Sequence, residues 1–153
     1  MVTNTGRVTL PGNGPYVYFI VKHSYLYLGE TQILPVIRWG AHFQNDGSFS
    51  RVLQFIDDDA MQSTKPYVFQ SIYLNRIRDE FPEYEWKRAT QWIENDLHLK
   101  VCACGEITSR FRLISNTVRT APRRYYRDSL HDLSALAFGF LVNCLRDYED
   151  HRE

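Results

Sequence analysis

The residues best able to do chemistry lie within one short stretch, 16–42: Tyr16, Tyr18, Tyr27, Arg38 and His42. Arg38 and His42 are four residues apart, which puts a guanidinium and an imidazole on one face of a helix. Pro35 suits the first turn of that helix. The pieces form a site: paired strands holding tyrosines, with a helix presenting a guanidinium and an imidazole beside them. A single tyrosine here would read as an ordinary strand residue; the set, in order, carries the reading.

The elements that must hold these groups follow from the pattern around them. Tyr16-Val17-Tyr18-Phe19-Ile20-Val21 is rich in β-branched and aromatic residues and predicts a strand. Ser24-Tyr25-Leu26-Tyr27-Leu28 predicts a second strand running back, with Gly29 ending it. Two registers compete. If Tyr18 faces Tyr27, Lys22-His23 is the loop; if Tyr16 does, the loop is Val21-Lys22. The first puts a polar pair at the tip and favours Tyr18, with Tyr16 on the same face as the fallback.

This arrangement resembles the GIY-YIG nuclease family. The first family triplet is matched by Val17-Tyr18, or by Gly14-Pro15-Tyr16; the second is matched by Tyr27-Leu28-Gly29, followed by Glu30-Thr31. Arg38, three residues and then His42 reproduce the family's helix signature near its usual distance from the second tyrosine. The likeness spans residues 15–97. It implies a metal-dependent DNA endonuclease in which Tyr18 (or Tyr16) acts as general base and Tyr27 helps position the reacting groups. Arg38, with His42 on the same helix, would stabilise charge, and a glutamate would hold one divalent cation, Mg2+ or Mn2+, per active site. A phenol with an ordinary pKa near ~10 is an unusual base, and a neighbouring guanidinium and metal-bound water would favour its phenolate.

The family's glutamate falls three residues before an aromatic–isoleucine pair, here Trp92-Ile93, and that position is Ala89. The match therefore implies a missing metal ligand: an inactive protein, or an inactive variant of an active one, with the intact surroundings favouring the variant. Glu85, one helical turn earlier, is the nearby substitute, and Glu94 is expected to face solvent.

Further along, Asn45-Asp46-Gly47 is a stop signal, and apolar residues at 49, 52, 53 and 56 predict a helix. Asp57-Asp58-Asp59 reads as a solvated helix end rather than a metal site. Residues 66–74 predict a third strand, and Pro82 opens a helix to about residue 97 with Trp86, Ala89, Ile93 and Leu97 on its buried stripe. The predicted fold class is α+β: a small, mainly antiparallel three-stranded sheet flanked by helices, with a C-terminal helical extension. The domain plan is an N-terminal arm (1–14), a GIY-YIG-like catalytic core (15–100), and an Arg-rich segment with a C-terminal amphipathic helix packed on the core (101–153).

Arg110, Arg112, Arg119, Arg123, Arg124 and Arg127 occur without an intervening acidic residue and with Phe111, Tyr125 and Tyr126 among them. They read as a phosphate-contacting surface with aromatics available for stacking; the competing reading pairs them with the acidic tail. Leu133, Leu136, Ala137, Phe140, Leu141, Cys144, Leu145 and Tyr148 follow helical spacing over 129–148. His98, Cys102 and Cys104 lack the paired spacing of a zinc site.

The formal charge is zero, so nucleic-acid binding must come from a local patch. Three cysteines argue against a disulfide framework and for a reducing, cytoplasmic setting. No apolar run approaches the ~18 residues that would span a membrane. The expected partner is double-stranded DNA. A small nuclease of this kind looks most like a type II restriction endonuclease, and double-strand cleavage by one-site domains calls for a homodimer. The alternatives are a repair, homing or mobile-element nuclease, and a non-catalytic nucleic-acid-binding module on the same fold.

Overall fold

A computed structural model describes residues 12–44, 46–116 and 128–150. The elements run β1 (Tyr16–Lys22), β2 (Tyr25–Thr31), α1 (Pro35–Phe43), α2 (Ser48–Ile56), α3 (Asp58–Gln62), β3 (Val68–Tyr73), α4 (Asn75–Glu80), α5 (Glu83–Ala103), α6 (Gly105–Thr108), β4 (Arg112–Leu113) and α7 (Asp128–Asp150). The class is α+β, but the sheet has four strands, in the order β3-β1-β2-β4. The β1–β2 and β1–β3 pairs are antiparallel, and β2–β4 is parallel. The expected three-stranded sheet missed β4, whose two residues are too few to show any alternation.

Every residue of β1 is buried, as its unbroken run of aromatic and β-branched side chains requires of a central strand. Val17, Phe19 and Val21 face one core with α4, α5 and α7; Tyr18 and Ile20 face a second core with α2 and α3. Alternation along one strand thus assigns Tyr16, Tyr18, Ile20 and Lys22 to the same side.

The hairpin loop is His23-Ser24, one residue beyond the more favoured of the two expected positions, with His23 at φ 53°. Two-residue hairpin loops need this left-handed backbone to match the strand twist. Lys22 is consequently the last residue of β1 and not a loop residue. Its ammonium donates to the carbonyls of Met61 (2.9 Å) and Ser63 (3.0 Å) and sits 4.0 Å from the Tyr67 ring centroid. A buried lysine with those partners pins the hairpin onto the end of α3, where carbonyls accumulate negative charge.

The register that follows pairs Tyr18 with Gly29 and Ile20 with Tyr27, so neither expected tyrosine pairing holds. Tyr18 and Tyr27 are diagonal neighbours on one face, still close enough to act together. Gly29 lies inside β2 and does not end it. A Cβ at residue 29 would collide with the Tyr18 phenol, so glycine there makes room for the ring.

α5 runs through residue 103 with Ala89, Ile93 and Leu97 in the first core, and α7 adds Leu133, Ala137, Leu141, Leu145 and Tyr148 to it. Leu136 and Phe140, expected on the same stripe of α7, are exposed. Among the described residues, no helix is long and apolar enough to cross a membrane.

Candidate active site

Gly47 lets α2 turn back against the end of α1. A Cβ there would overlap the carbonyls of Ala41 and His42, so only glycine permits the approach. The turn delivers the Phe49 N–H to His42 Nδ1 at 3.2 Å and the Ser50 hydroxyl to the His42 carbonyl at 2.7 Å. A ring nitrogen that accepts a main-chain N–H carries no proton, so the neutral imidazole is protonated on Nε2. His42 Nε2–H therefore donates to the Tyr18 phenol oxygen, 2.6 Å away. Arg38 Nε–H reaches the same oxygen at 3.5 Å. The Tyr18 oxygen thus has two N–H donors aimed at it, leaving its own proton directed elsewhere.

Both partners are deeply placed, each 2% exposed. Burial, with the Arg38 charge adding to it, pushes His42 down to about 4, which holds it neutral at physiological pH. Burial also raises the Tyr18 phenol well above its ordinary value, although the Arg38 hydrogen bond opposes the rise. The expectation that the guanidinium would favour the phenolate is thus outweighed by desolvation in the unliganded fold. The half-buried Tyr27 packs its ring 5.0 Å from the His42 ring and 5.9 Å from Phe49. Its phenol is likewise raised, by burial first.

A cleft of about 360 Å³ opens beside this cluster. Tyr18, Tyr27 and Arg38 line one side; Lys87, Gln91, Glu94 and Asn95 of α5 line another, with Glu30 and Asn116 completing it. Glu94 is the carboxylate that sequence reasoning missed. It is half-buried, and burial, together with the nearby Glu30 charge, raises it to about 7. The expectation that Glu94 faces solvent is corrected accordingly.

Ala89 is 0% exposed and packed in the first core, so it is not a vacated ligand position. Five residues separate it from Glu94, about 140° around a helix of 3.6 residues per turn. Core and cleft thus occupy different faces of α5. A signal for Glu94 existed in the sequence: Lys87, Gln91 and Glu94 recur at i, i+4 and i+7, a polar stripe opposite the apolar one. Glu85, the expected substitute, is not among the residues lining the cleft.

Tyr16 also lies apart. It is fully buried against Tyr73, with ring centroids 5.0 Å apart, and donates to the Gly12 carbonyl at 2.6 Å. Of the arginines singled out, Arg110 is ion-paired with Glu149 and Arg112 is exposed on β4. Arg119, Arg123, Arg124 and Arg127 lie outside the described residues. Asp57 caps α3, accepting from the Ala60 N–H at 2.9 Å and from the Tyr25 hydroxyl at 2.8 Å.

Both His98 nitrogens are engaged within the protein, which leaves no zinc site with Cys102 and Cys104. Among the described residues, no group of three or more His, Cys, Asp or Glu could hold a metal. Glu94 and Glu30 nevertheless line one cleft with Gln91, Asn95 and Asn116, side chains that can offer oxygen ligands. That chemistry fits a hard cation such as Mg2+, which usually takes one or two carboxylates and completes its shell with water and phosphate oxygens. No protein-family profile, curated protein or solved structure matches the chain.

Proposed function

We propose that the chain is a metal-dependent DNA endonuclease of the GIY-YIG type, and more narrowly a type II restriction endonuclease acting on duplex DNA as a homodimer. One observation carries the reading: Tyr18 and Arg38, with His42 hydrogen-bonded to Tyr18 behind them, line a polar cleft with the Glu94 carboxylate. Those are the groups that phosphodiester hydrolysis needs, brought together from β1, α1 and α5.

Each group has a role that its geometry supports. Arg38 presents an exposed guanidinium at the cleft, suited to charge on a pentacoordinate phosphate. His42, neutral and fixed by the Phe49 N–H, orients the Tyr18 oxygen. Together with Arg38 it would offset part of the desolvation cost of a negative oxygen there, so that Tyr18, once its proton has passed to solvent in the cleft, can accept one from the attacking water. Tyr27 packs edge-to-face against His42 and holds the imidazole in place. Glu94 and Glu30 would hold a divalent cation, which when bound would make water more acidic and neutralise phosphate charge.

The rival reading, a non-catalytic binding module, rested on alanine at position 89, and a core alanine lends it no support. The test is incubation of the protein with a random duplex library in Mg2+ or Mn2+, followed by end mapping. Chelator-sensitive cuts at one short sequence, absent from Glu94→Gln, are expected. A folded protein that cuts no duplex under these conditions would exclude the nuclease.

A further inference from the structure

His98 and Ser115 are buried, 4% and 8% exposed, and no step above uses them. They form a relay with a fixed direction. The Leu28 N–H donates to Ser115 Oγ at 2.9 Å, the Ser115 hydroxyl donates to His98 Nε2 at 2.8 Å, and His98 Nδ1–H donates to the Glu94 carbonyl at 2.8 Å. A carbonyl only accepts, so His98 Nδ1 carries a proton; burial lowers the imidazole below its ordinary value and holds it neutral, leaving Nε2 to accept from Ser115.

Each end of the relay touches the cleft. Leu28 lies between Tyr27 and Gly29, Ser115 precedes Asn116, and Glu94 supplies the carboxylate. The relay begins where the short β4 ladder stops: the Ile114 N–H bonds the Leu26 carbonyl at 2.9 Å, and the Ser115 side chain takes the next place along β2. Helix geometry alone does not require His98, because the Glu94 carbonyl already faces the main-chain N–H of residue 98. The side chain ties one turn of α5 to an element outside the helix.

We propose that His98 and Ser115 are positioning residues whose relay sets the rotation of α5, keeping the Glu94 carboxylate in register with Tyr18 and Tyr27. The catalytic consequence rests on the nuclease reading; the structural one does not. The test compares Ser115→Ala with Ser115→Thr, which keeps the hydroxyl. Two quantities are read: the order of the Glu94 side chain by 13C relaxation of its methylene groups, and kcat and KM on duplex DNA. Ser115→Ala should mobilise Glu94 and lower kcat by about tenfold or more with KM within about twofold, since small misplacements cost rate before binding. Ser115→Thr should restore both.

An ordered Glu94 and parental kcat in Ser115→Ala, whatever its melting temperature, would overturn the proposal. So would a threonine variant as impaired as the alanine one. If Ser115→Ala does not fold, His98→Gln cuts the relay from its other end and carries the same expectations. A parent that cuts no duplex would sink the nuclease reading, while Glu94 order would still decide the relay.

Discussion

α1 and α5 face each other across one cleft, yet they deliver their functional groups by different means. In α1 the chemistry is visible in the spacing: Arg38 and His42 stand four residues apart on a nine-residue helix, and Gly47 and Phe49 lock the imidazole by main-chain contact. α5 is a 21-residue helix with two buried duties, packing one core and walling the cleft. α1 also packs Trp39 and Phe43 against Phe69, but its functional pair stands one turn apart and shows as a simple period. α5 shows overlapping stripes, and the phase between them must be known before any residue is assigned.

The comparison breaks most sharply at the two charged groups. Arg38→Ala and Glu94→Gln should each leave the fold intact and remove cleavage. The arginine change is expected to cost at least ~10² in rate, the range for one transition-state donor. Cleavage rates on a mapped site, with circular dichroism to confirm folding, check both. Rates within tenfold of the parent for either variant would remove that helix from the chemistry.

Position 89 separates the two faces of α5. Ala89→Glu would drive a carboxylate among Leu28, Ile93 and Leu97 with no partner provided, at a cost of several kcal/mol. Chemical denaturation should show a variant barely stable or unfolded, with no gain of nuclease activity. A well-folded Ala89→Glu protein would mean that residue 89 has access to the cleft after all.

This is also where legibility in the sequence ends. Local pattern was enough for β1 and β3, rich in aromatic and β-branched residues, and for α1, marked by Pro35 and by Arg38 and His42 four apart. β2, by contrast, runs two residues past the Gly29 expected to end it. The hairpin loop was displaced by one residue, since alternation fixes which residues share a face but not which residue takes the left-handed turn; His23 gives no glycine signal. A two-residue strand paired in parallel far along the chain leaves no local trace. Residue 89 was assigned by its neighbours in sequence, whereas Glu94 is placed by helix phase against the sheet, a tertiary quantity.

Acidity offers a finer test, because the two helices respond to pH with opposite sign. Glu94 titrates near 7 in the fold against an ordinary 4.5, so its contribution to stability is full below pH 4.5 and lost as pH rises to about 7. His42 titrates near 4 against an ordinary 6.5, so its contribution is full above 6.5 and lost as pH falls to about 4. Between 4.5 and 6.5 the two oppose each other. Glu94→Gln removes one side. Without added metal it should stabilise the protein at pH 8 by on the order of 3 kcal/mol, the carboxyl rising from 4.5 to about 7 at about 1.4 kcal/mol per pKa unit, and leave a rise in stability from pH 4 to 6.5. Urea midpoints across pH measure this; superimposable profiles for parent and variant would place Glu94 in water. Mg2+ at pH 8 should raise the parent's melting temperature and not the variant's.

The smallest effect is expected far from both helices' cleft faces, at Arg110. Its guanidinium is exposed and paired with Glu149 of α7, and such surface pairs contribute about 0–1 kcal/mol. Arg110→Ala should therefore barely change stability. Its effect on DNA decides between the two readings of the arginine-rich stretch. An arginine that contacts phosphate releases counterions, and losing it should reduce the slope of log K against log salt by about 0.9. An arginine held by Glu149 should leave the slope unchanged, and that is the expectation for Arg110. Arg123→Ala combined with Arg124→Ala, outside the described residues, is expected to reduce the slope instead. Fluorescence anisotropy of a labelled duplex between low and moderate salt measures both variants. Equal slopes in all three proteins would assign the duplex to the cleft face alone, with Arg38 and Lys87 as its cationic contacts there.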